Sequence, residues 1–358
     1  MRTMLLALAL AGCDGDDKGA DATGETDDTD GTTPPDPLNV VGDGTNLPAA
    51  SLLSIWGSSS SDVWIVGSDP GDGLGPMVLR YDGASWSRLE TGTTGDLWWV
   101  WSDGADTVLM SGEGGRVITH SRSAGTFTEA VVTDPTYKLF GVWGTSPSDV
   151  WTVGGDINGG LDGVAAHFDG TAWTDVFTAP VDPDNGVTKR QVFKVWGAAS
   201  DDVWFVGTGA LVLRWDGTAM ETAYDQPIYH TTQLTTVHGR AADDVYAVGG
   251  FSNAAVVHFD GTAWTDESPP PAAIAPAFNG VFASDAHGTV ACGVRGSIWW
   301  HGDTHEWTKD PRPAGTQRDF HACWIDETGE PWAVGGDLTG GTEGAVITGN
   351  DSIPPIAL

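Results

Sequence analysis

Residues 142–173 open with Val142-Trp143-Gly144 and, after Thr145 to Ser148, continue Asp149-Val150-Trp151-Thr152-Val153-Gly154. A variable loop follows, then Ala166-His167-Phe168-Asp169-Gly170-Thr171-Ala172-Trp173. The segment after Asp149 is apolar on both faces of an extended chain. A strand with one wet face would alternate, so this one is sandwiched. Asp169-Gly170 lies between two apolar runs, the signal of a two-residue hairpin with both central residues at positive φ.

The same order recurs from Ile55-Trp56-Gly57 to Trp86, from Val195-Trp196-Gly197 to Met220 and from Val237-His238-Gly239 to Trp264. Weaker copies begin at Val100-Trp101-Ser102, Val281-Phe282-Ala283 and Cys323-Trp324-Ile325. The anchors at 56, 101, 143, 196, 238, 282 and 324 are spaced by 45, 42, 53, 42, 44 and 42 residues. That is the length of a four-stranded blade, and the chain is expected to be an all-β, seven-bladed β-propeller. Strand a ends in the Val-Trp-Gly unit, and strand b is Asp-Val-Trp-x-Val-Gly. Strand c ends before Asp-Gly, and strand d starts at the next Trp. The last copy supplies only three strands before Ile353-Pro354-Pro355, which is poor strand material. Counting back from Trp56 places its fourth strand at Leu38-Asn39-Val40-Val41, so an N-terminal strand should close the ring. The propeller is expected to span residues 38–358.

Ahead of it, residues 1–12 are a short positive region and an apolar stretch too short to span a bilayer. They end Leu10-Ala11-Gly12-Cys13, which resembles the lipobox of bacterial lipoproteins. The resemblance implies cleavage before Cys13 and a diacylglycerol on its sulfur. Acyl chains at about 0.8 kcal/mol per buried CH₂ would hold the protein to a membrane almost permanently. Asp14 resembles the inner-membrane retention signal of some lipoproteins; the outer membrane or cell surface is nevertheless the expected address. Residues 13–37 form an acidic, disordered tether, with nine carboxylates and one lysine between Asp14 and Pro37.

The whole chain carries 16 basic and 49 acidic residues, a formal charge of −33. Such a surface repels phosphate backbones and anionic headgroups, which disfavours nucleic acid and leaves the lipid anchor as the sole membrane contact. Cys292 and Cys323 stand where sister repeats carry valine or isoleucine, and are expected to be buried, reduced thiols.

The repeats are similar to the tryptophan-rich propeller repeats of bacterial lipoproteins. They also resemble the Asp-box hairpins of sialidase-like propellers, with Asp-Gly-x-x-Trp in place of Asp-x-Gly-x-x-Trp. Residues that recur are explained by the repeat. Arg80, His167, Arg214 and His258 share one strand-c position and cannot converge on one substrate. Asp62, Asp149, Asp202 and Asp244 are expected to bond backbone N–H groups in turns.

Topology narrows the search. In a meander the a–b and c–d turns share one end of the propeller, here called the turn face. The b–c and d–a connections share the other, the loop face, which carries nearly all the length variation. Binding residues in scaffolded folds lie on such loops. The candidates there are Asp182, Asp184, Lys189, Arg190, Tyr224, Tyr229, His230, Phe251, Arg116 and Arg295. Asp156, Asn158 and Asp162, and Asp337 and Glu343, are of the type that holds Ca²⁺, although ordinary glycine-rich turns explain these loops as well. No other cofactor is expected, and no catalytic residue stands out.

The expected function is a monomeric envelope protein that binds or scaffolds a protein or glycan through the loop face. Two alternatives stay open. One is a glycoside-active, sialidase-like enzyme on the same face; the other is a structural spacer without a small ligand.

Overall fold

The computed structural model describes residues 35–156, 162–177, 180, 191–225, 233–302 and 306–358. They form seven antiparallel sheets of four strands each, a β-propeller. Blades 1 to 6 are continuous in sequence: Leu52–Arg88, Leu97–Val131, Lys138–Asp175, Val192–Tyr224, Leu234–Asp266 and Phe278–Lys309 run from strand a to strand d. The described helices are three single 3₁₀ turns, at Thr208–Ala210, Pro271–Ala273 and Val294–Gly296.

Blade 7 is composite. Strands a to c are Asp319–Ile325, Pro331–Gly336 and Gly344–Thr348, and the fourth is Asn39–Gly42 from the N-terminal side. Asn39 pairs with Thr348 and Val40 with Ile347. The C-terminal tail then fastens this strand: the Ile356 N–H donates to the Val41 carbonyl at 2.7 Å, and Asn39 Nδ2 to the Ile353 carbonyl at 3.0 Å. Ile353 and Ile356 are buried in the core shared by blades 7 and 1.

Strand b is apolar on both faces because each blade is covered by its neighbours. Val63, Trp64, Ile65 and Val66 are all fully buried, as are Trp151, Trp204, Tyr246 and Trp332. The glycine of Val-Trp-Gly has a specific reason. A Cβ on Gly197 would lie 2.6 Å from the Trp143 indole, and one on Gly239 equally close to Trp196. At these joints the anchor tryptophan occupies the space that a side chain on the next blade's glycine would need.

Two details differ from the sequence reading. The aspartates that open strand b bind side chains across the sheet rather than turn backbone. Asp149 holds His167 at 2.6 Å, Asp202 holds Arg214 at 2.7 Å and Asp244 holds His258 at 2.8 Å. Asp62 lies 4.0 Å from Arg80 and takes a closer bond, at 2.6 Å, from Arg122 of blade 2. Each of these strand-c side chains also covers the strand-b aromatic: His167 stacks on Trp151 at 4.3 Å, His258 on Tyr246 at 4.2 Å, and the Arg214 guanidinium lies over Trp204. These residues tie strand b to strand c within a blade.

The Asp-Gly hairpins are also not two-residue turns. Tyr81 pairs with Trp86, so the loop has four residues, 82–85. Gly83, Gly170, Gly217 and Gly261 have positive φ, but the aspartates before them do not. Instead, Asp169 Oδ1 accepts from the Thr171 N–H and hydroxyl and from the Ala172 N–H. The carboxylate closes the turn as an Asx motif, which removes the need for a second left-handed residue.

Candidate functional site

The sequence-derived candidates divide into three groups. Cys13, Asn158, Asp182, Asp184, Lys189, Arg190, Tyr229 and His230 lie outside the described residues. Tyr224 is a correction: it ends strand d of blade 4, is only 8% exposed and packs in the core between blades 4 and 5 beside Trp264. Strand d here runs for five residues, against three in blades 1, 3, 5 and 6, and the ring fills the gap between two blades. Phe251 and Arg295 are exposed on b–c loops of the loop face, as expected. Arg295 has φ +59°, and its N–H donates to Asp319 Oδ1 at 2.8 Å.

Arg116 is held by Glu129 at 3.1 Å and by the Thr94 carbonyl. The carboxylates offered as Ca²⁺ ligands have other partners. Asp337 closes its own loop through Thr339, Gly340 and Thr342, and these bonds hold its carboxyl below the usual range. Glu343 pairs with Arg318. Asp156 and Asp162 join the ends of their loop through the Asp156 N–H and Asp162 carbonyl, at 2.9 Å. Among the described residues no three His, Cys, Asp or Glu side chains are placed to hold a metal ion.

What the fold does assemble lies on its axis. One residue near the start of strand a in each blade sits near the loop face: Leu53, Trp98, Phe140, Phe193, Thr235, Asn279 and His321. A bulge in strand a at this position, recorded in blades 1 to 7 alike, leaves these residues unpaired and turns their side chains out of the regular ladder. Leu53, Trp98 and Phe140 form an apolar cluster, with Phe193 and Leu338 packed against it. Phe140 meets Trp98 edge-on at 5.1 Å and Phe193 at 5.9 Å. His321 reaches Trp98 at 6.0 Å, and its Nδ1 bonds the Leu53 carbonyl. Blades 1 to 3 thus give an apolar wall and blades 5 to 7 a polar one.

Leu338 comes from the b–c loop of blade 7, which brings it over the mouth. Lys138 borders the same mouth, 5.6 Å from the Trp98 ring and paired with Glu113 at 2.5 Å. Solvent still enters, since Trp99, Phe193, Thr235, Asn279 and His321 are only partly buried although they belong to innermost strands.

Just below the mouth lies Lys194, from strand a of blade 4. Its Nζ donates to the Phe140 carbonyl of the adjacent blade 3 at 2.7 Å and sits 4.3 Å from the centre of the Trp99 ring. It is only 4% exposed, and no carboxylate partners it among the described residues. Burial pulls its pKa down to about 7. His321 is pushed down to about 3, first by burial and then by the charge of Lys194, so its ring is neutral. Removing an ammonium from water costs several kcal/mol even after relaxation. One charged hydrogen bond returns roughly 1.5–3 kcal/mol and a desolvated cation–π contact about 2 kcal/mol. The balance does not favour the charged form, which agrees with the lowered pKa.

None of Trp98, Phe140, Phe193, Lys194 or His321 was singled out from the sequence, because each sits in a strand whose neighbours match the repeat. A signal did exist. Val192-Phe193-Lys194-Val195-Trp196 places a lysine inside an apolar run with no alternation to bring it to solvent.

No known protein family matches the chain by sequence, and no curated protein does. Solved structures match its shape. A streptogramin B lyase is 13% identical with a TM-score of 0.63, over 87% of this chain and 97% of that one. YCF48 from Cyanidioschyzon merolae is 12% identical with a TM-score of 0.63, over 87% and 98%. The extracellular domain of a protein described as a hybrid two-component system of B. thetaiotaomicron is 12% identical with a TM-score of 0.60, over 87% of this chain and 39% of that one. Identity at this level carries the propeller fold alone.

Proposed function

We propose that the chain is an exported, lipid-anchored propeller of the bacterial cell envelope, and that it binds its ligand at the loop face, around the mouth of the axial channel. The observation that carries the reading is the contrast between the two ends. On the turn face, the side chains of the Asp-Gly loops are spent on closing their own turns. On the loop face, the channel mouth collects aromatic and cationic side chains that the repeat does not call for: Trp98, Phe140, Phe193 and Lys138. The Leu-Ala-Gly-Cys segment supports the anchor, and the fold-level likeness to an extracellular propeller domain agrees with an exported protein. The acidic tether would hold the propeller clear of the anionic membrane.

Two measurements test this. Wild type should incorporate labelled fatty acid and Cys13→Ala should not; a wild type without label defeats the anchor. Residues 38–358 should capture an envelope component that is lost on substituting Phe251 and Arg295 by Ala but kept when Ser59, Ser146 and Thr218 are substituted. The reverse pattern would place binding on the turn face.

A further inference from the structure

Lys194 departs from the way this chain treats its half-buried cations. Arg80, Arg88, Arg122, Arg214, Arg240 and Arg312 each lie beside a carboxylate, in a protein with 49 of them. Lys194 is among the most buried cations and has none. Its ammonium carries three protons, and one meets the Phe140 carbonyl. A second donor lies in the same channel: Trp98 is 7% exposed and its Nε1 has no hydrogen-bond partner among the described residues. Lys194 lacks a counter-charge and the Trp98 indole lacks an acceptor, and the side chains between and around them are aromatic.

We propose that the axial channel is a binding site for a small apolar carboxylic acid. Its carboxylate meets Lys194 Nζ, and its hydrocarbon or aromatic body rests on Trp98, Phe140 and Phe193. The indole N–H of Trp98 is a further donor along the entry. The complementarity is mutual. An anion supplies the counter-charge that the lysine lacks, and the lowered pKa of Lys194 leaves it ready to take up a proton when that anion arrives. An inorganic anion would satisfy the amine but not the aromatic wall. A neutral apolar molecule would cover the wall but leave the ammonium without a counter-charge and the indole N–H unmet.

The inference rests on reading the loop face as the binding end, but its test does not depend on the envelope partner. Residues 38–358 are titrated with 3-phenylpropionate and with hexanoate, and binding is followed by calorimetry and by the fluorescence of Trp98 and Trp99. The matching neutral amides, acetate and phosphate serve as comparisons. Both acids should bind wild type at about 1 mM or tighter, and the amides, acetate and phosphate at least roughly tenfold more weakly. Lys194→Met should weaken the acids by tenfold or more and leave the amides unchanged, while Phe193→Ala should weaken acids and amides alike. No binding of either acid to wild type overturns the proposal, as does equal affinity for acid and amide. Both results are read on the native protein, whatever the variants do to folding. Acid binding retained in Lys194→Met overturns it equally. Acid binding that survives while Phe251 and Arg295 substitutions leave envelope capture intact would fail only the choice of face for the macromolecular partner.

Discussion

The indole of Trp324 in the last blade lies against Gly57 of the first, where a Cβ would fall 2.5 Å from its ring. The same contact joins Trp143 to Gly197 and Trp196 to Gly239. At these three places the tryptophan and glycine of successive Val-Trp-Gly-type units form an inter-blade joint: the tryptophan comes from one blade and the glycine from the next. At Trp324 and Gly57 the joint also helps to close the ring.

Alanine at Gly57, Gly197 or Gly239 should each cost about 1–3 kcal/mol, the range for overpacking a tight interior. Gly302→Ala is the control, since nothing lies within 4 Å of its Cβ direction. Chemical denaturation of the four variants checks this; equal stability of all of them would mean the joint is loose.

Deleting residues 38–45 removes the strand paired to Gly344–Thr348 and the partner of the C-terminal tail. It exposes a strand edge and the buried Ile353 and Ile356. Unfolding should become easier by several kcal/mol, on the order of two or three lost core side chains. An unchanged melting temperature would show that the ring holds without this strand.

Acid should weaken the turn face. Asp169 is held at about 2, chiefly by the Thr171 hydroxyl, Asp216 at about 2 by the Ala219 N–H, and Asp260 at about 2 by the Thr262 hydroxyl. Each lies below the ordinary value of about 3.9. The unfolded chain therefore binds protons first, and the stabilisation is present above roughly pH 4 and is lost as pH falls towards 2. Asn at all three positions keeps the acceptor but not the charge, so the melting temperature of that variant should vary less over this window.

Lys194 has the opposite sense. Its folded value of about 7 lies below the unfolded value of about 10.4, so between these limits the unfolded chain binds more protons and stability rises with pH. The slope should approach about 1.4 kcal/mol per pH unit. It should vanish in Lys194→Met, which should also be the more stable protein at pH 6. A wild type and variant with parallel pH profiles would mean the amine is not desolvated.

Thiol reactivity is the last case. Cys292 and Cys323 are both buried and reduced, and Cys323 Sγ donates to the Val290 carbonyl at 3.7 Å. Burial first, and then the neighbouring Cys323, raise the Cys292 thiol well above its usual range. Neither should react with a thiol reagent until the protein unfolds. Fast labelling of the native protein would show that blades 6 and 7 part readily.

The architecture was legible in the sequence because it is written seven times. Apolar strand b, the Asp-Gly turn and the anchor spacing each follow from local burial and turn chemistry, and the position of the closing strand follows from counting. The same regularity concealed the site. Lys194 reads as one odd residue in a blade, and Trp98 and Phe140 as two more members of a tryptophan- and phenylalanine-rich pattern. Only ring closure brings strand a of blades 2, 3, 4 and 7 to one axis, where Lys194 meets the Phe140 carbonyl and Trp99. Turn geometry was misread for a related reason: a carboxylate can close a loop in place of a left-handed residue, and Asp-Gly is written identically in both cases. Tyr224 looked like a surface residue because burial between blades leaves no period along one strand. Contacts within a strand or hairpin have a sequence signature; contacts between blades about 40 residues apart have none until the ring is formed.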